Sequence, residues 1–490
     1  MPDQPHPHDD ILHAFEADAG VEAGAPWLAL AAGYLAGTRD GSGPVSTPRG
    51  RAELWSRFDE PLPRAGRPLA DVAERVRRDV LADANHLMHP MAMGHQVSPP
   101  LPAAIWAESL TAAINQSVAV WEMSPTATMV ETRVVRWMCD LAGYGAGSGG
   151  TLTSGGTEAT VTALLAARAA AMPNAWLEGV GADPPVVVCG EHAHYAVTRA
   201  VGELGLGMRN AVVVPSRDWR MDPAALADSL DRLAREGRRV MAVVATAGST
   251  ATGSFDDLDA IGTQCEARGI WLHVDGAHGA SALLSPTHRH HVRGIERARS
   301  VAWDAHKMML MPLPAGLLLV RSERDLEGAF AQRAPYLFHG DGGERVWDQG
   351  VRSFLCSRRA DAIKLWVALQ RYGADGFGAL YDRLCATTRA LYDAVAERPD
   401  FEALHEPECN ILCFRYVGDG DEHGIADEER DARTLALRER YNRSGRGWIT
   451  TTLLGGRRVL RVTVMNPRTT DVHVRAMLDG VAQMAAGVRA

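Results

Sequence analysis

IWLHVDGAHGAS, residues 270–281, is an apolar run that stops on an aspartate and continues in small residues. A short run of this kind, bounded by glycine and rich in bulky apolar side chains, reads as a buried strand. Asp275 then stands just past the strand end, which in open α/β sheets is where ligands bind. On this stretch alone the carboxylate either caps the next helix or holds a protonated heterocycle.

Working outward, similar runs recur on both sides: PVVVCG (185–190), AVVVPS (211–216), VMAVVATAG (240–248), SVAWD (300–304) and AGLLLVR (315–321). Between them lie helical patterns such as TEATVTALLAARAAA (157–171) and DPAALADSLDRLAREG (222–237). This alternation predicts an α/β domain whose largely parallel sheet is covered by helices. The expected organisation is an N-terminal helical segment over 1–85, broken by a polar stretch at 38–50, then a large domain over 86–374 and a small C-terminal α+β domain over 375–490. The small domain follows a linking helix near 359–372 and contains strands NILCFRYV (410–417) and RVLRVTVM (458–465), with GDGDEHGIADEERD (418–431) as a solvated loop and helix start.

Composition removes several function classes. A net charge of −9 leaves no basic footprint for nucleic acid. Seven scattered cysteines without a CxxC pair read as reduced thiols. The first residues, MPDQPHPHDD, lack the basic and apolar regions of a secretory signal. No run approaches the roughly 18 apolar residues of a membrane span. A cytoplasmic protein that binds neither nucleic acid nor membrane is expected.

One compositional oddity points to chemistry. Of 51 lysines and arginines only two are lysine, Lys307 and Lys364. Where the two residue types are equivalent, this chain uses arginine. Lys307, in WDAHKMM (303–309), is either a paired lysine at a strand end or a nucleophile, since an amine forms an imine with an aldehyde and a guanidinium does not. Lys364 falls on an amphipathic helix and reads as structural. TLTSGGTEAT (151–160) runs a Ser-Gly-Gly-Thr turn into a helix, which is either a helix cap or an anion site built from free N–H groups. It matches neither a P-loop nor GxGxxG. GEHAHYAV (190–197) places His192 and His194 after another strand, as surface residues, metal ligands or a stacking ring.

A phosphate turn, a histidine, an aspartate and a lysine, each at a strand end and in this order, resemble the pyridoxal 5'-phosphate enzymes of fold type I. Within them the chain resembles the group II decarboxylases that act on glutamate, cysteine sulfinate, 2,4-diaminobutyrate and aromatic amino acids. The matching stretches are TSGGTEA, EHAHYAV, ATAGSTATGSFD (245–256), WLHVDGAHG, WDAHKMM, RRADAIKLW (358–366) and VLRVTVMNP (459–467), with GHQVSPPLP (94–102) and WEMSPTATMVE (121–131) at the N-terminal border. The resemblance spans roughly residues 80 to 490. It implies a mostly parallel seven-stranded sheet in the large domain, a homodimer with the active site at its interface, and decarboxylation of an L-amino acid to an amine and CO2. Lys307 would form the internal aldimine, and Asp275 would keep the pyridinium nitrogen protonated so that the ring accepts electrons in a quinonoid. His194 would stack on the cofactor, Ala277 pack on its other face and Thr246 bond near its phenolic oxygen. Ser154, Gly155, Gly156, Thr157 and His306 would approach the phosphate. Gln96 and Arg461 would border the substrate, Arg461 at its α-carboxylate. No metal is implied.

Three departures from that pattern stand out. Asp304 replaces the asparagine of the relatives' NPHK run, and a carboxylate beside a phosphate is expected either to point away or to meet an arginine. Asp275-Gly276-Ala277 replaces Asp-Ala-Ala and is followed by the bulky polar His278. YLFHGDGGERVWDQG (336–350), resembling the loop over the site, has no tyrosine after Phe338 to protonate the product, leaving an aldehyde-forming oxidative variant or another Cα reaction as the alternative. The histidines of THRHH (287–291) read as a solvated loop rather than a metal site, and no HExxH motif supports a metallohydrolase.

Overall fold

Valine, leucine and alanine runs form the strands at the centre of the molecule in the computed structural model, which describes residues 7–37, 41–330, 347–418 and 426–486. The strands are β1 (Gly149–Thr153), β2 (Val186–Gly190), β3 (Ala211–Val214), β4 (Ser216–Arg217), β5 (Arg220–Met221), β6 (Val240–Thr246), β7 (Trp271–Asp275), β8 (Ser300–Asp304) and β9 (Gly316–Val320). Seven of them make one sheet in the order β1-β9-β8-β7-β6-β2-β3, while β4 and β5 form a separate hairpin. Pairing is parallel from β8 through β7, β6 and β2 to β3, and antiparallel on both sides of β9. Because β9 reverses direction twice over, β1 points the same way as the parallel set. The last residues of β1, β2, β6, β7 and β8 therefore share one edge. This is the α/β architecture with a mostly parallel seven-stranded sheet.

One strand of the sheet is invisible to hydrophobic patterning. β1 reads GGTLT, and glycine and threonine at its start suggest a turn. The structure gives the reason: a Cβ on Gly150 would stand 2.3 Å from the Leu318 carbonyl oxygen of β9. Close backbone approach, not side-chain packing, places β1 at the sheet edge.

Helices cover the sheet as expected. Gly156–Ala171 buries Ala159, Ala163 and Leu164, its small residues allowing close contact with the strands. Pro223–Arg235 buries Leu226, Leu230 and Leu233 along one stripe, and its Asp222 cap accepts the Ala224 N–H at 2.9 Å. In the C-terminal part, β10 (Phe401–Ala403), β11 (Ile411–Tyr416), β12 (Thr450–Leu454) and β13 (Arg457–Thr463) form an antiparallel sheet in the order β10-β11-β13-β12. β11 and β13 come from the two expected runs. β10 is three residues long and β12 begins with three threonines, so neither carries a strong apolar signal. One hydrophobic core runs from Met93 and Met138 through Val274 to Leu412 and Val481, so both sheets share it. N-terminal helices Pro7–Asp18 and Val21–Gly37 lie outside that core, and the second buries no residue. No helix among the described residues is long and apolar enough to cross a membrane.

A buried ion pair ties the segment before the sheet to the segment after it. Arg358 donates to both oxygens of Glu131 at 2.6 and 2.9 Å, with the two side chains 5% and 1% exposed. Removing the guanidinium leaves a buried carboxylate without its cation. Arg358→Ala is expected to destabilise the protein by about 3–5 kcal/mol, read by thermal or denaturant unfolding; a loss under about 1 kcal/mol would show that Glu131 finds another partner.

Candidate active site

The shared strand edge opens into a cleft of about 370 Å³. Every expected site residue except Arg461 lines it: Gln96, Ser154, Gly155, Gly156, Thr157, His194, Thr246, Asp275, Ala277, His306 and Lys307. Sheet register explains much of this convergence. Thr246 lies opposite Asp275 on neighbouring strands, and Gly316 of β9 lies opposite both Asp304 of β8 and Thr153 of β1.

Between β1 and the following helix, Ser154 and the two glycines form a cradle. The Ser154 N–H donates to the Glu158 carboxylate at 2.7 Å. A Cβ on Gly155 would come within 3.2 Å of the His306 ring, and one on Gly156 within 2.8 Å of the Ala277 methyl. Side chains at these positions would fill the space above the helix start, where free N–H groups favour an anion.

Asp275 closes β7, 8% exposed, and one oxygen accepts the Ala277 N–H at 3.2 Å. His194 follows β2. Its Nδ1 accepts the Ala196 N–H at 3.3 Å, so the neutral ring carries its proton on Nε2. Burial lowers its pKa against the pull of Asp275 and, with a smaller effect, Lys307 lowers it too. His306 is oriented alike, its Nδ1 accepting the Ala315 N–H at 3.2 Å while Ser98 holds its carbonyl. The Thr246 N–H donates to a carboxylate oxygen of Asp256 at 2.7 Å, and burial pushes Asp256 up to about 6. The Thr246 hydroxyl and the Gln96 Nε2 are both buried without a partner among the described residues.

The two lysines part company here. Lys364 is fully buried and its amine pairs with Glu108 at 2.9 Å and Asp361 at 3.2 Å. Two carboxylates lock it in a structural role. Lys307 reaches the cleft, with its amine 3.2 Å from Asp304 Oδ2.

Asp304 corrects an expectation. It does not point away from the glycine turn, and among the described residues it meets no arginine; it lies against the turn, with His306 Nε2 at 3.4 Å and Lys307 as its neighbours. Arg461, on β13, is 5% exposed and donates to the Thr250 carbonyl at 2.7 Å. Thr250 lines the cleft, so Arg461 stands one residue back from it. Sequence reasoning passed over Gly248 and Thr250, although both fall in the quoted stretch 245–256. It noticed His278 without placing it. His278 Nε2 lies 2.6 Å from Asn410 Oδ1, and the Asn410 amide donates to the Val464 carbonyl, which makes Nε2 the donor. Burial pushes His278 down to about 3, so it is neutral at ordinary pH. It links the edge of the large sheet to the small one.

The segment 336–350, whose missing tyrosine bears on protonation, lies outside the described residues as far as 346. Among the described residues no group of three His, Cys, Asp or Glu side chains is arranged to hold a metal; in 287–291 the His291 ring stacks on His288 and Phe255, with His290 tilted against it.

An amine that reaches the cleft, a buried carboxylate, an anion cradle and polar atoms without a partner among the described residues, all lining one cleft, suit a flat heterocycle bearing an aldehyde and a phosphate. Comparison with known proteins agrees. The pyridoxal-dependent decarboxylase conserved domain matches residues 52–417. L-2,4-diaminobutyrate decarboxylase of Rhizobium meliloti (strain 1021) is 35% identical over 428 residues, covering 87% of this chain and 84% of its own length. Cysteine sulfinic acid decarboxylase of Rattus norvegicus is 34% identical over 369 residues, 74% of each chain. The crystal structure of mouse CSAD is similar with a TM-score of 0.89 and 29% identity, covering 95% of this chain and 99% of that one. By the extent of the domain match and by its fold, the chain belongs to the pyridoxal-dependent decarboxylases.

Proposed function

We propose that this pyridoxal-dependent amino-acid decarboxylase holds its cofactor covalently through Lys307 and converts an L-amino acid to its amine and CO2 at the edge of the seven-stranded sheet. The observation that carries the residue assignment is the Lys307 amine, free of any lock like that on Lys364 and sharing one cleft with Asp275 and the glycine cradle.

When bound, pyridoxal phosphate supplies a protonated ring that accepts the electron pair left as the Cα–carboxylate bond breaks. Asp275 holds the ring-nitrogen proton. His194 and Ala277, which line the same cleft, would hold the ring, His194 by stacking and Ala277 by its methyl. The Thr246 hydroxyl, buried without a partner among the described residues, would donate to the bound cofactor. Ser154, Gly155, Gly156, Thr157 and His306 receive the phosphate. Gln96 lines the cleft and would border the substrate, and Arg461, which pairs with no carboxylate among the described residues, stands behind the Thr250 carbonyl and positions that loop. Lys307, His194 or a residue of the loop over the site would return a proton to Cα. The named relatives support a substrate with a short charged side chain, such as 2,4-diaminobutyrate or cysteine sulfinate.

Borohydride reduction followed by peptide mapping is expected to fix a pyridoxyl group on Lys307. A label on another residue, or none after incubation with excess cofactor, would overturn the assignment. Assaying CO2, amine, aldehyde and peroxide together across charged and aromatic amino acids separates simple decarboxylation from an oxidative outcome.

The protein is further proposed to be a homodimer with its sites at the interface. Helix Pro102–Ile114 exposes Trp106, Leu110 and Ile114 at 43%, 57% and 42%, four residues apart on one stripe, and Ile11, Leu12 and Phe15 are exposed on the first helix. A second copy covering these faces would remove them from water. Trp106→Glu with Leu110→Glu is expected to weaken the dimer about 10³-fold, at roughly 2 kcal/mol for each buried anchor. Sedimentation velocity reads the change; an unaltered dimer would place the interface elsewhere. Seven free cysteines support a reducing, cytoplasmic setting. The boundaries near residues 85 and 374 stay part of the same proposal, the second supported by the break in helix Ala362–Ala396 at Gly373.

A further inference from the structure

Asp256 enters no step of the proposed reaction, yet both of its carboxylate oxygens are spent on backbone beside the cleft. Its side chain is buried, the residue 7% exposed. Oδ2 accepts the Thr246 N–H at the end of β6 and Oδ1 the Met221 N–H of β5, each at 2.7 Å. The Asp256 N–H in turn donates to the Thr246 carbonyl at 2.9 Å, so Thr246 is held at both of its backbone polar groups. The loop beyond has anchors of its own: Arg461 donates to the Thr250 carbonyl at 2.7 Å, Cys413 Sγ to that of Ala251 at 3.2 Å and Cys409 Sγ to that of Gly253 at 3.4 Å. The hold of Asp256 therefore falls on Thr246, which lines the cleft and whose buried hydroxyl has no partner among the described residues.

A carboxylate accepts from two N–H donors at once. Once protonated, one of its oxygens becomes a donor, and one N–H loses its acceptor. The surroundings favour that change: burial pushes Asp256 up to about 6, against the two backbone bonds and Arg220, with Glu408 adding to the rise. Arg220 is committed to Glu408 at 2.9 Å, and among the described residues no cation pairs with Asp256. From β2 the Cys189 thiol faces it, pushed up by burial and neutral. His291 stands 3.7 Å from Glu408, pushed down by burial to about 4 and neutral above that. Because the Asp256 carboxyl titrates above its unfolded range, its protonation stabilises the fold; that contribution is complete below about pH 4 and is lost as pH rises through about 6. A loss of activity through Asp256 in mild acid thus runs opposite to acid unfolding.

We propose that Asp256 is a proton-operated positioning residue for Thr246: ionised, it holds the Thr246 backbone so that the hydroxyl meets the cofactor, and protonated in mild acid it lets that backbone shift and slows turnover. This rests on the site assignment made above.

Two readouts on the full chain test it. In cofactor-free protein carrying isotope-labelled threonine, the Thr246 amide resonance, assigned by its loss in Thr246→Val, is expected to titrate with a midpoint near pH 6 and to stop titrating in Asp256→Asn. In the cofactor-saturated enzyme, a one-proton limb with that midpoint should lower kcat about tenfold between pH 7.5 and pH 5, leaving KM for the amino acid within about twofold. Asp256→Asn keeps the shape and should run flat over that limb, about tenfold below the wild type at pH 7.5. Thr246→Val should lose the limb although Asp256 is intact, and adding Asp256→Asn to it should cost less than about twofold more, since both act through one contact. A limb from His194, whose pKa burial lowers, would persist in every variant.

A Thr246 amide that does not respond between pH 5 and pH 7.5 overturns the inference, as does a limb near pH 6 that survives in Asp256→Asn or in Thr246→Val. Effects that multiply in the double variant do the same, and so does a melting temperature that falls in step with kcat as the wild type is acidified, which would make the limb one of unfolding. Should Asp256→Asn fail to fold, the wild-type amide titration and the Thr246→Val profile still decide. Absence of a borohydride label on Lys307 would bring down the site assignment instead, a result separable from the amide titration, which needs no cofactor.

Discussion

Lys307→Ala is expected to lose covalent cofactor attachment, the yellow colour that goes with it, and at least about 10⁴-fold in kcat, the scale of loss when a residue acting as nucleophile is removed. Lys307→Arg should be equally inert. It keeps a positive charge beside Asp304, but a guanidinium stays protonated and forms no imine with an aldehyde. The pair of variants separates nucleophilicity from charge. Absorbance and borohydride labelling read the attachment directly, and turnover reads the chemistry. An arginine variant with more than a trace of activity would show that Lys307 serves as a cation rather than as the attachment point.

The second large effect belongs to Asp275. Truncating one partner of a buried, hydrogen-bonded charge pair costs about 2–5 kcal/mol, which corresponds to a fall of about 10²–10⁴ in rate for Asp275→Ala. The loss should fall on kcat more than on substrate binding, because the carboxylate stabilises charge that develops as CO2 leaves. The backbone contact from Ala277 to Asp275 means that the variant also loosens the turn after β7. Asp275→Asn, which keeps a hydrogen-bond acceptor there, is the control: it should remain folded like the wild type and still lose most of the rate. Full activity in the amide variant would remove Asp275 from the ring nitrogen.

These two residues were legible in the sequence because each sits at the end of a strongly apolar strand, and because lysine is so scarce in this chain. The other elements show where that legibility ends. β6, β7 and β8 announce themselves through buried aliphatic residues on both faces. β1 does not, since its position depends on the room that Gly150 leaves for a carbonyl of β9. β10 and β12 carry too few apolar residues to stand out before their partner strands are known. The site divides in the same way. His194, Thr246 and Lys307 follow visible strands, whereas Thr250 and His278 matter through contacts to Arg461 and Asn410, more than a hundred residues away along the chain.

The amino-acid sequence by itself determined the chemical inventory: one exceptional lysine, an aspartate at a strand end, a Ser-Gly-Gly turn opening a helix, and the alternation that makes a parallel sheet. Those are local properties, set by side-chain chemistry and by the period of the hydrophobic pattern. Only the tertiary structure decided which of these groups face one another. The double reversal at β9 brings Thr153 and Asp304 to the same edge; the fold locks Lys364 between two carboxylates while leaving Lys307 open to the cleft; and it turns Asp304 towards the glycine cradle with no arginine among the described residues to meet it. Orientation and burial depend on strand order and on residues distant in sequence, and these fix what each charge sees.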